Sequence, residues 1–267
     1  MDLNTVAVIR QPSSRADLAL AAGESFLGGG SWLFSEPQTH LTGLVDLTTL
    51  GWPPLVETAE GLSIAATCTL AQLADLPRRP AWRAQPLFRQ CCTALLGSFK
   101  VWNVATVGGN ICLALPAGPM TSLAVALDAT ALVWTPDGGE RRVAAADFIT
   151  GVESTVLGFG EVLRSVDLPL AALRSRTAYR KIALSPLGRS GTLVIGRLAA
   201  DGGFTLTVTA GTDRPVLLRW DAAPTGGDLE SGIRSIDNWY DDAHGAPDWR
   251  EAMSVLLAEE IRQELAA

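Results

Sequence analysis

The sequence predicts an α+β protein with two major units that meet near residue 170. Segments with the alternating polarity of strands are interspersed with capped or apolar segments typical of helices. A chain of 267 residues is long enough for two compact units. Pro169 ends a predicted strand, and residues 170–176 are a plausible linker. The predicted domains span residues 1–170, with subdomains of about 1–58 and 59–170, and residues 171–267.

The first 58 residues are predicted to form a β-α-β-like unit. Its strands are predicted at residues 3–10, 25–27 and 44–47. Ser14 and Asp17 have the spacing of a helix capping box, and Gly23 is a typical residue to end the helix that they begin. Three consecutive glycines, Gly28 to Gly30, follow the second strand and predict a tight turn.

Residues 59–170 are predicted to add five strands and three helices. The strands are predicted at residues 61–67, 104–107, 131–135, 140–143 and 162–168. The helices are predicted after the capping pair Thr69 and Gln72, at residues 86–97 with Gly97 as the stop, and at residues 119–129. The Asp137-Gly138 pair predicts the turn of a hairpin between the third and fourth of these strands.

The second unit is predicted to contain a short strand at 179–183, a hairpin and a terminal helix. The hairpin joins residues 192–199 and 204–210 around an Asp-Gly-Gly turn. Its second strand alternates apolar residues with threonines, so we expect one face to be core and the other to meet solvent or a partner. Residues 248–265 form an amphipathic pattern typical of a helix.

The composition excludes several classes of protein. Hydrophobic residues make up 48% and charged residues 18%, which indicates a folded chain. The net charge is −7 and no cluster of Lys and Arg is evident, which argues against nucleic-acid and membrane-surface binding. The longest apolar stretch, residues 120–134, contains Asp128 and is too short for a membrane span. The N-terminus lacks a signal-peptide pattern, so a cytoplasmic location is expected.

Cysteine and histidine are too sparse for a metal site. The four cysteines form no C-x-x-C pair, so zinc and iron–sulfur ligation are not expected and reduced, mostly buried thiols are. Only two histidines are present, too few for a metal cluster or a histidine-based triad. The sequence therefore predicts no metal ligands and no catalytic side chain.

Two glycine-containing motifs are the candidate binding site. They are Leu-Gly-Gly-Gly-Ser-Trp-Leu at residues 27–33 and Thr-Val-Gly-Gly-Asn-Ile at residues 106–111. Glycines let backbone amides approach a ligand, and consecutive amides bind anions such as a pyrophosphate. Ser31, Thr106 and Asn110 add side-chain donors. Neither motif is a phosphate-binding P-loop or a G-x-G-x-x-G fingerprint, and tight turns without a ligand are the alternative interpretation.

The second motif carries a family resemblance. Residues 101–111, Val-Trp-Asn-Val-Ala-Thr-Val-Gly-Gly-Asn-Ile, resemble the R-N-x-A-T-I/V-G-G-N-I signature of the FAD subunits of molybdenum hydroxylases, the xanthine and carbon monoxide dehydrogenase family. Residues 27–33 are similar to the A-G-G-T/Q-D/S-L loop of that family. Shorter matches extend the resemblance over nearly the whole chain, at Val45–Leu47, Gly61–Ala66, Gly160–Leu163, Tyr179–Lys181 and Trp249–Glu251.

The resemblance implies a fold and a set of cofactor contacts. The fold is a vanillyl-alcohol-oxidase or PCMH-type FAD-binding domain of two α+β subdomains, followed by a small C-terminal α+β domain. FAD is expected to bind non-covalently, because neither motif contains a histidine. The residues that the resemblance places near FAD are Leu27, Gly28, Gly29, Gly30, Ser31, Trp32, Leu33, Gly97, Thr106, Gly108, Gly109, Asn110, Leu163 and Lys181.

Four positions depart from the family pattern. Pro119 stands where an acidic residue is common, and it offers neither charge nor an N–H. Trp32 replaces a smaller residue, and Trp102 replaces an arginine. Arg189 lies in a segment that is more acidic in the family. One hydrogen bond to the cofactor is therefore expected to differ from the family.

The resemblance implies an oxidoreductase subunit in a hetero-oligomer. Such a chain passes electrons from two [2Fe–2S] centres in a small partner subunit to an external acceptor. A large partner subunit carries the molybdenum cofactor and meets the substrate. Two alternatives stay open from the residues alone: a scaffold subunit that has lost the flavin, and a stand-alone FAD oxidase of the same fold.

Overall fold

The computed structural model describes residues 3–267. Met1 and Asp2, with which the first predicted domain begins, lie outside the described residues. Within residues 3–267 the strands form sheets of three, five, four and two strands. Helices pack on these sheets, which confirms the predicted α+β class.

The first sheet is a parallel sheet in which the third strand lies between the other two. Its strands are β1 (Val8–Arg10), β2 (Glu24–Leu27) and β3 (Gly43–Asp46). Two short 3₁₀ turns accompany them, at Arg15–Leu18 and Leu47–Leu50. The arrangement agrees with the predicted β-α-β-like unit.

The predicted helix of this unit is shorter than expected. The capping pair is present, since the Asp17 carboxylate accepts the Ser14 N–H at 2.9 Å. The helical turn ends at Leu18, however, and does not continue to Gly23. The guanidinium of Arg10 donates to the carbonyls of Asp17 and Ala19. These bonds satisfy the last carbonyls of the turn, so a further helical turn is not needed for them.

Residues 55–169 form the second sheet, a set of packed helices and a two-stranded hairpin. The sheet is antiparallel with the order β4-β5-β10-β6-β7. The strands are β4 (Leu55–Glu57), β5 (Gly61–Ala65), β6 (Thr130–Trp134), β7 (Glu140–Ala144), β8 (Ile149–Gly151), β9 (Ser154–Thr155) and β10 (Val162–Pro169). The helices are α1 (Leu70–Ala74), α2 (Pro86–Ala94), α3 (Phe99–Trp102), α4 (Val107–Leu113), α5 (Pro119–Ala126) and α6 (Ala145–Phe148).

Several predicted elements of this region are confirmed. Thr69 and Gln72 form the expected capping box of α1. The β6–β7 hairpin turns at Asp137-Gly138, where Gly138 has a left-handed φ of 87°. The stop at Gly97 is wrong, because α2 ends at Ala94 and Leu96 takes the left-handed conformation with a φ of 56°.

Stacked arginine and tryptophan side chains join the first sheet to the second. The rings of Trp52 and Trp134 meet edge to face with centroids 5.4 Å apart. The guanidinium of Arg164 lies 4.2 Å from the Trp52 centroid, and that of Arg15 lies 4.5 Å from the Trp134 centroid. Burial lowers the pKa of Arg164. Such cation–π contacts each contribute about 0.5–2 kcal/mol.

Residues 170–266 form an antiparallel four-stranded sheet that carries two of their helices on one face, while α5 covers the other face. The elements are α7 (Leu170–Arg174), β11 (Arg176–Ile182), β12 (Thr192–Leu198), β13 (Phe204–Thr209), β14 (Val216–Trp220), α8 (Gly226–Arg234) and α9 (Pro247–Ala266). The strands follow one another in chain order, and the predicted hairpin is the β12–β13 pair. The predicted terminal helix is α9.

Two expectations about this region are wrong. The segment predicted as a linker is largely the helix α7, because Ala172 and Leu173 are buried in the main core. The threonine face of β13 meets neither solvent nor a partner. It is covered by α5, and the hydroxyls of Ser122 and Thr209 lie 2.7 Å apart in the buried interface. The sequence pattern could not reveal this neighbour, which is 87 residues away.

The two large sheets share one core and one ion-pair cluster. Leu193 and Ile195 of β12 belong to the same buried cluster as the residues of the second sheet. Asp128, directly after α5, pairs with Arg197 and with Arg219, the latter at 2.6 Å. The Arg197 side chain is only 8% exposed. A charge buried to this extent requires a partner.

The cysteines are free thiols, as expected. Cys68, Cys91 and Cys92 are buried, and Cys112 is partly buried. Burial raises the pKa of the Cys68 and Cys92 thiols to about 12, so both stay protonated near neutral pH. No helix within residues 3–267 combines the length and apolar character needed to cross a membrane.

We predict that Asp128→Asn destabilises the protein by about 2–4 kcal/mol, because the buried guanidinium of Arg197 loses its charge partner. Asparagine has nearly the same shape and tolerates the φ of 49° at this position, so the backbone is retained. The free energy of unfolding from urea titration measures the effect. Glu230→Gln, at the exposed pair with Arg234, is the control and should cost less than about 1 kcal/mol. Equal losses in both variants would contradict the prediction.

Candidate functional site

A cleft lies where the first sheet meets the helices α2 to α4. Its volume is about 900 Å³, near the upper end of the roughly 300–1,000 Å³ of small-molecule sites. One wall is formed by residues 25–41 and the other by residues 94–118. Glu153 and Arg189 complete the rim, and Arg189 is contributed by the region after β11. Both glycine motifs therefore face one cavity.

The first glycine motif is pressed against the backbone of the second wall. A Cβ atom at Gly29 would overlap the carbonyl oxygen of Val104. A Cβ atom at Gly28 would come within 2.8 Å of the Thr106 hydroxyl. Gly30 has a left-handed φ of 69°, which glycine adopts at little cost. Close packing of the two walls thus requires glycine at these positions, whether or not a ligand is bound.

The same loop presents a row of unpaired backbone donors. Within residues 3–267 the amide N–H groups of Gly29 to Leu33 donate to no protein acceptor. The carbonyls of Gly30 and Trp32 are engaged, each accepting an amide hydrogen at 2.8 Å. Consecutive free amides form an anion-binding turn. The loop therefore offers donors to a negatively charged group in the cleft.

The second glycine motif is the start of a helix rather than a loop after a strand. The strand predicted at 104–107 is wrong, because Thr106 is the N-cap of α4 and its hydroxyl accepts the Gly109 N–H at 3.1 Å. Gly108 is buried against Ala66, and a Cβ atom there would overlap the Ala66 side chain. A single antiparallel bridge from Thr106 to Thr69 is the only strand-like contact of this segment within residues 3–267.

Asn110 connects the cleft to the helix α5. Its side-chain oxygen accepts the Met120 N–H at 2.9 Å, next to Pro119 at the first position of the helix. Proline at this position has no N–H to satisfy and its φ suits a helix. The carboxamide NH₂ of Asn110 has no protein acceptor among the described residues, so it is available to a ligand. Pro119 is buried and leaves the cleft open.

Most of the predicted site residues line the cleft. The members that do so are Leu27, Gly28, Gly29, Gly30, Ser31, Trp32, Leu33, Gly97, Thr106, Gly109 and Asn110. Gly108 instead packs behind the cleft wall, and Leu163 is 3% exposed in the main core. Lys181 lies on β11 opposite Leu193 and is not among the lining residues. The structure thus does not bring Gly108, Leu163 and Lys181 to the cleft.

Other lining residues were missed from the sequence. They include Glu36, Gln38, His40, Cys112, Glu153 and Arg189. Cys112 could have been found if α4 had been recognised, because Gly109 and Cys112 are three residues apart and share one helix face. Burial raises the pKa of the Cys112 thiol to about 12, so it faces the cleft in its neutral form. Trp102 is not a lining residue; its indole N–H is buried without an acceptor in the described chain.

A second chamber of about 500 Å³ adjoins the cleft. It shares four residues with the cleft: Leu27, Gly28, Gly29 and Thr106. Polar side chains from the first sheet and from α1 complete its lining, among them Asp46, Thr48 and Gln72. A ligand that crosses the glycine loop could therefore contact both chambers, as a long two-part molecule such as a dinucleotide requires.

Comparison with known proteins decides the family. Residues 11–171 match the model of the FAD binding domain in molybdopterin dehydrogenase. The chain belongs to this family. FAD is therefore its cofactor, and the cleft fits FAD: its volume suits a large ligand, and its glycine loop offers unpaired amides to a pyrophosphate.

Individual relatives agree with this assignment. The carbon monoxide dehydrogenase medium chain of Hydrogenophaga pseudoflava is 30% identical over 178 residues, which cover 66% of this chain and 59% of the relative. Aldehyde oxidase 2 of Cavia porcellus is 33% identical over 123 residues, 43% of this chain and 9% of the relative. The matched part of the chain thus spans 9% of one relative and 59% of the other.

The fold also matches solved structures along the whole chain. Quinoline 2-oxidoreductase from Pseudomonas putida 86 superposes with a TM-score of 0.80 at 20% identity, covering 98% of both chains. A Cu,Mo-CO dehydrogenase structure gives 0.82 at 22% identity, covering 97% of this chain and 99% of the other. At these identities the likeness concerns the fold.

We predict that Gly29→Ala destabilises the FAD-free protein by about 1–3 kcal/mol, because the added Cβ overlaps the Val104 carbonyl. The overlap should also displace the glycine loop, so the protein should retain less FAD on purification. Urea unfolding of the FAD-free protein and the ratio of flavin to protein absorbance measure the two effects. Gly227→Ala is the control: its Cβ would have its nearest neighbour at 3.9 Å, so neither quantity should fall. Wild-type behaviour of Gly29→Ala would refute the close-packing explanation.

Asn110→Asp should separate the two roles of Asn110. The aspartate keeps an oxygen for the Met120 N–H, so the stability of the FAD-free protein should change by less than about 1 kcal/mol. It loses the NH₂ donor and adds negative charge to the cleft, so the Kd for FAD should rise at least about tenfold, or roughly 1.4 kcal/mol. Fluorescence titration with FAD measures the Kd. Gln38→Glu adds the same charge elsewhere in the cleft, and an equal rise there would exclude a specific role for Asn110.

Proposed function

We propose that this chain is the FAD-binding electron-transfer subunit of a hetero-oligomeric molybdenum hydroxylase. In this proposal FAD is bound non-covalently. A small partner subunit carries [2Fe–2S] centres and a large partner subunit carries the molybdenum cofactor. The chain passes electrons from the iron–sulfur centres to an external acceptor. It is an oxidoreductase subunit, and the substrate is bound by the large partner.

The cleft between the glycine loop and α4 is the observation that supports this proposal best. The cleft has the features of a dinucleotide site, and the chain belongs to an FAD-binding family. One relative is a medium chain of a carbon monoxide dehydrogenase, a name that implies further chains.

The chain's own residues position the cofactor. Bound FAD supplies reversible electron transfer in one- and two-electron steps. The amides of Gly29 to Leu33 would hold the pyrophosphate, and the NH₂ of Asn110 would donate a further hydrogen bond. The neutral thiol of Cys112 adds no charge to the cleft, whereas Arg189 adds a positive charge at the rim. The cofactor contacts expected of Gly108, Leu163 and Lys181 stay a prediction, because these three residues do not line the cleft.

The flavin-free scaffold is the weaker alternative. Its motivation was the departure from the family pattern at Pro119, Trp32 and Trp102. Pro119 begins α5 and leaves the cleft open, and Trp102 lies outside the lining. Trp32 lines the cleft as a half-buried side chain and would meet the cofactor. These departures therefore do not remove the binding site.

The proposal predicts about one FAD per chain and bound partner subunits. The protein should be isolated from its source by a mild affinity procedure, then analysed for flavin, iron and molybdenum. Acid denaturation should release free FAD into the supernatant, and the complex should contain roughly four iron atoms and one molybdenum per FAD. A colourless chain that FAD cannot reconstitute would support the scaffold. A flavin-containing chain that is isolated alone and oxidises a substrate directly would support the oxidase.

A further inference from the structure

A further concave surface is rich in arginine and shares no lining residue with the FAD cleft. It has a volume of about 660 Å³, within the range of small-molecule sites. It lies between the loop that precedes α2 and the strand β11 with the end of α9. Four guanidinium groups and one carboxylate line it, from Arg78, Arg79, Arg83, Arg176 and Glu264. We call this surface the arginine pocket. The expectation that the sequence holds no basic cluster was wrong, because Arg78, Arg79 and Arg83 lie within six residues of one another and Arg176 joins them in the fold.

Three of these arginines carry uncompensated charge. Arg79 is paired with Glu57, and the Glu264 carboxylate is held by Arg180 at 2.8 Å. Within residues 3–267 no carboxylate lies at ion-pair distance from Arg78, Arg83 or Arg176. Like charges gathered in one concavity repel, so an anion placed among them is favoured. The feature is unusual in a chain whose net charge is −7.

The arginine pocket is held in shape before any ligand arrives. The Gln85 side chain accepts the Arg79 N–H at 2.6 Å and donates to the carbonyls of Leu76 and Pro77 at 3.0 Å. Trp82 is 8% exposed and anchors the loop in the core. These contacts fix the backbone of the loop, which lowers the entropy cost of binding. The side chains of Arg78 and Arg83 are exposed, and a ligand would have to order them.

We propose that the arginine pocket binds a small phosphorylated anion of the pyrophosphate class. Arginine donates to phosphate oxygens through a planar fork, and several forks around one concavity suit a group with several negative charges. Arg78, Arg83 and Arg176 are the donors, and Thr177 adds a hydroxyl at the edge. The pocket has no lining residue in common with the FAD cleft, so this site is separate from the one that holds the cofactor.

Titration of the FAD-loaded protein with inorganic pyrophosphate tests this proposal. Because the glycine loop is then filled by FAD, binding there does not contribute. Calorimetry at constant ionic strength should show saturable binding that sodium chloride does not reproduce. The variant R78A/R83A should weaken it at least tenfold. The control R142A/R214A removes the same charge at exposed pairs elsewhere and should stay within twofold of the wild type. Absence of saturable binding, or equal binding by both variants, would overturn the proposal.

Two further measurements keep the result interpretable. Urea unfolding without pyrophosphate should give similar stabilities for both double variants, so that a loss of binding cannot come from misfolding. The titration should then be repeated on the complex with its partner subunits, where binding should persist. Loss of binding only in the complex would overturn the proposal, because the arginine pocket would then be covered by an acidic surface of a partner subunit.

Discussion

The contact between Gly29 and the carbonyl of Val104 is the constraint on which the cleft depends. It sets how closely the first sheet approaches the segment between α3 and α4, with no side chain between the two backbones. Thr106, two residues after Val104, extends this contact because its hydroxyl lies against Gly28. The same hydroxyl caps α4. Residues 104–106 therefore support the glycine loop in one wall of the cleft and begin the helix α4 in the other wall.

The sequence predicted the sheets better than the helices near the site. Hairpins with an Asp-Gly turn and alternating strands appear as local patterns, and the β6–β7 and β12–β13 pairs were found in this way. The short helices α3 and α4 were not, because their residues include β-branched and glycine positions with low helix propensity. Tertiary packing and the Thr106 cap stabilise α4 instead. Family resemblance located eleven of the fourteen expected site residues at the cleft. Leu163 and Lys181 were carried over from shorter family matches, and neither lines the cleft.

The neighbours of β13 show why burial was harder to predict than secondary structure. An alternation of apolar and hydroxyl residues usually marks a strand with one wet face. Here both faces are covered, by α5 on one side and by α8 and α9 on the other. The hydroxyls of Thr205 and Thr209 have partners in Arg197 and Ser122, whereas the buried Thr207 hydroxyl has none among the described residues. Threonine is tolerated on this face because it also packs well on a sheet. Arg197 and Asp128 add a charged pair to the same interface, which the isolated patterns of the two segments cannot indicate.

The helix α5 connects the cleft to the C-terminal sheet. Its first N–H is capped by Asn110 in the cleft, its middle bears Ser122 against β13, and Asp128 at its end holds two arginines of the last sheet. All eight residues of α5 are buried, so the helix cannot shift without disturbing its neighbours. A displacement of α5 would therefore change both the Asn110 contact at the cleft and the contacts with the C-terminal sheet.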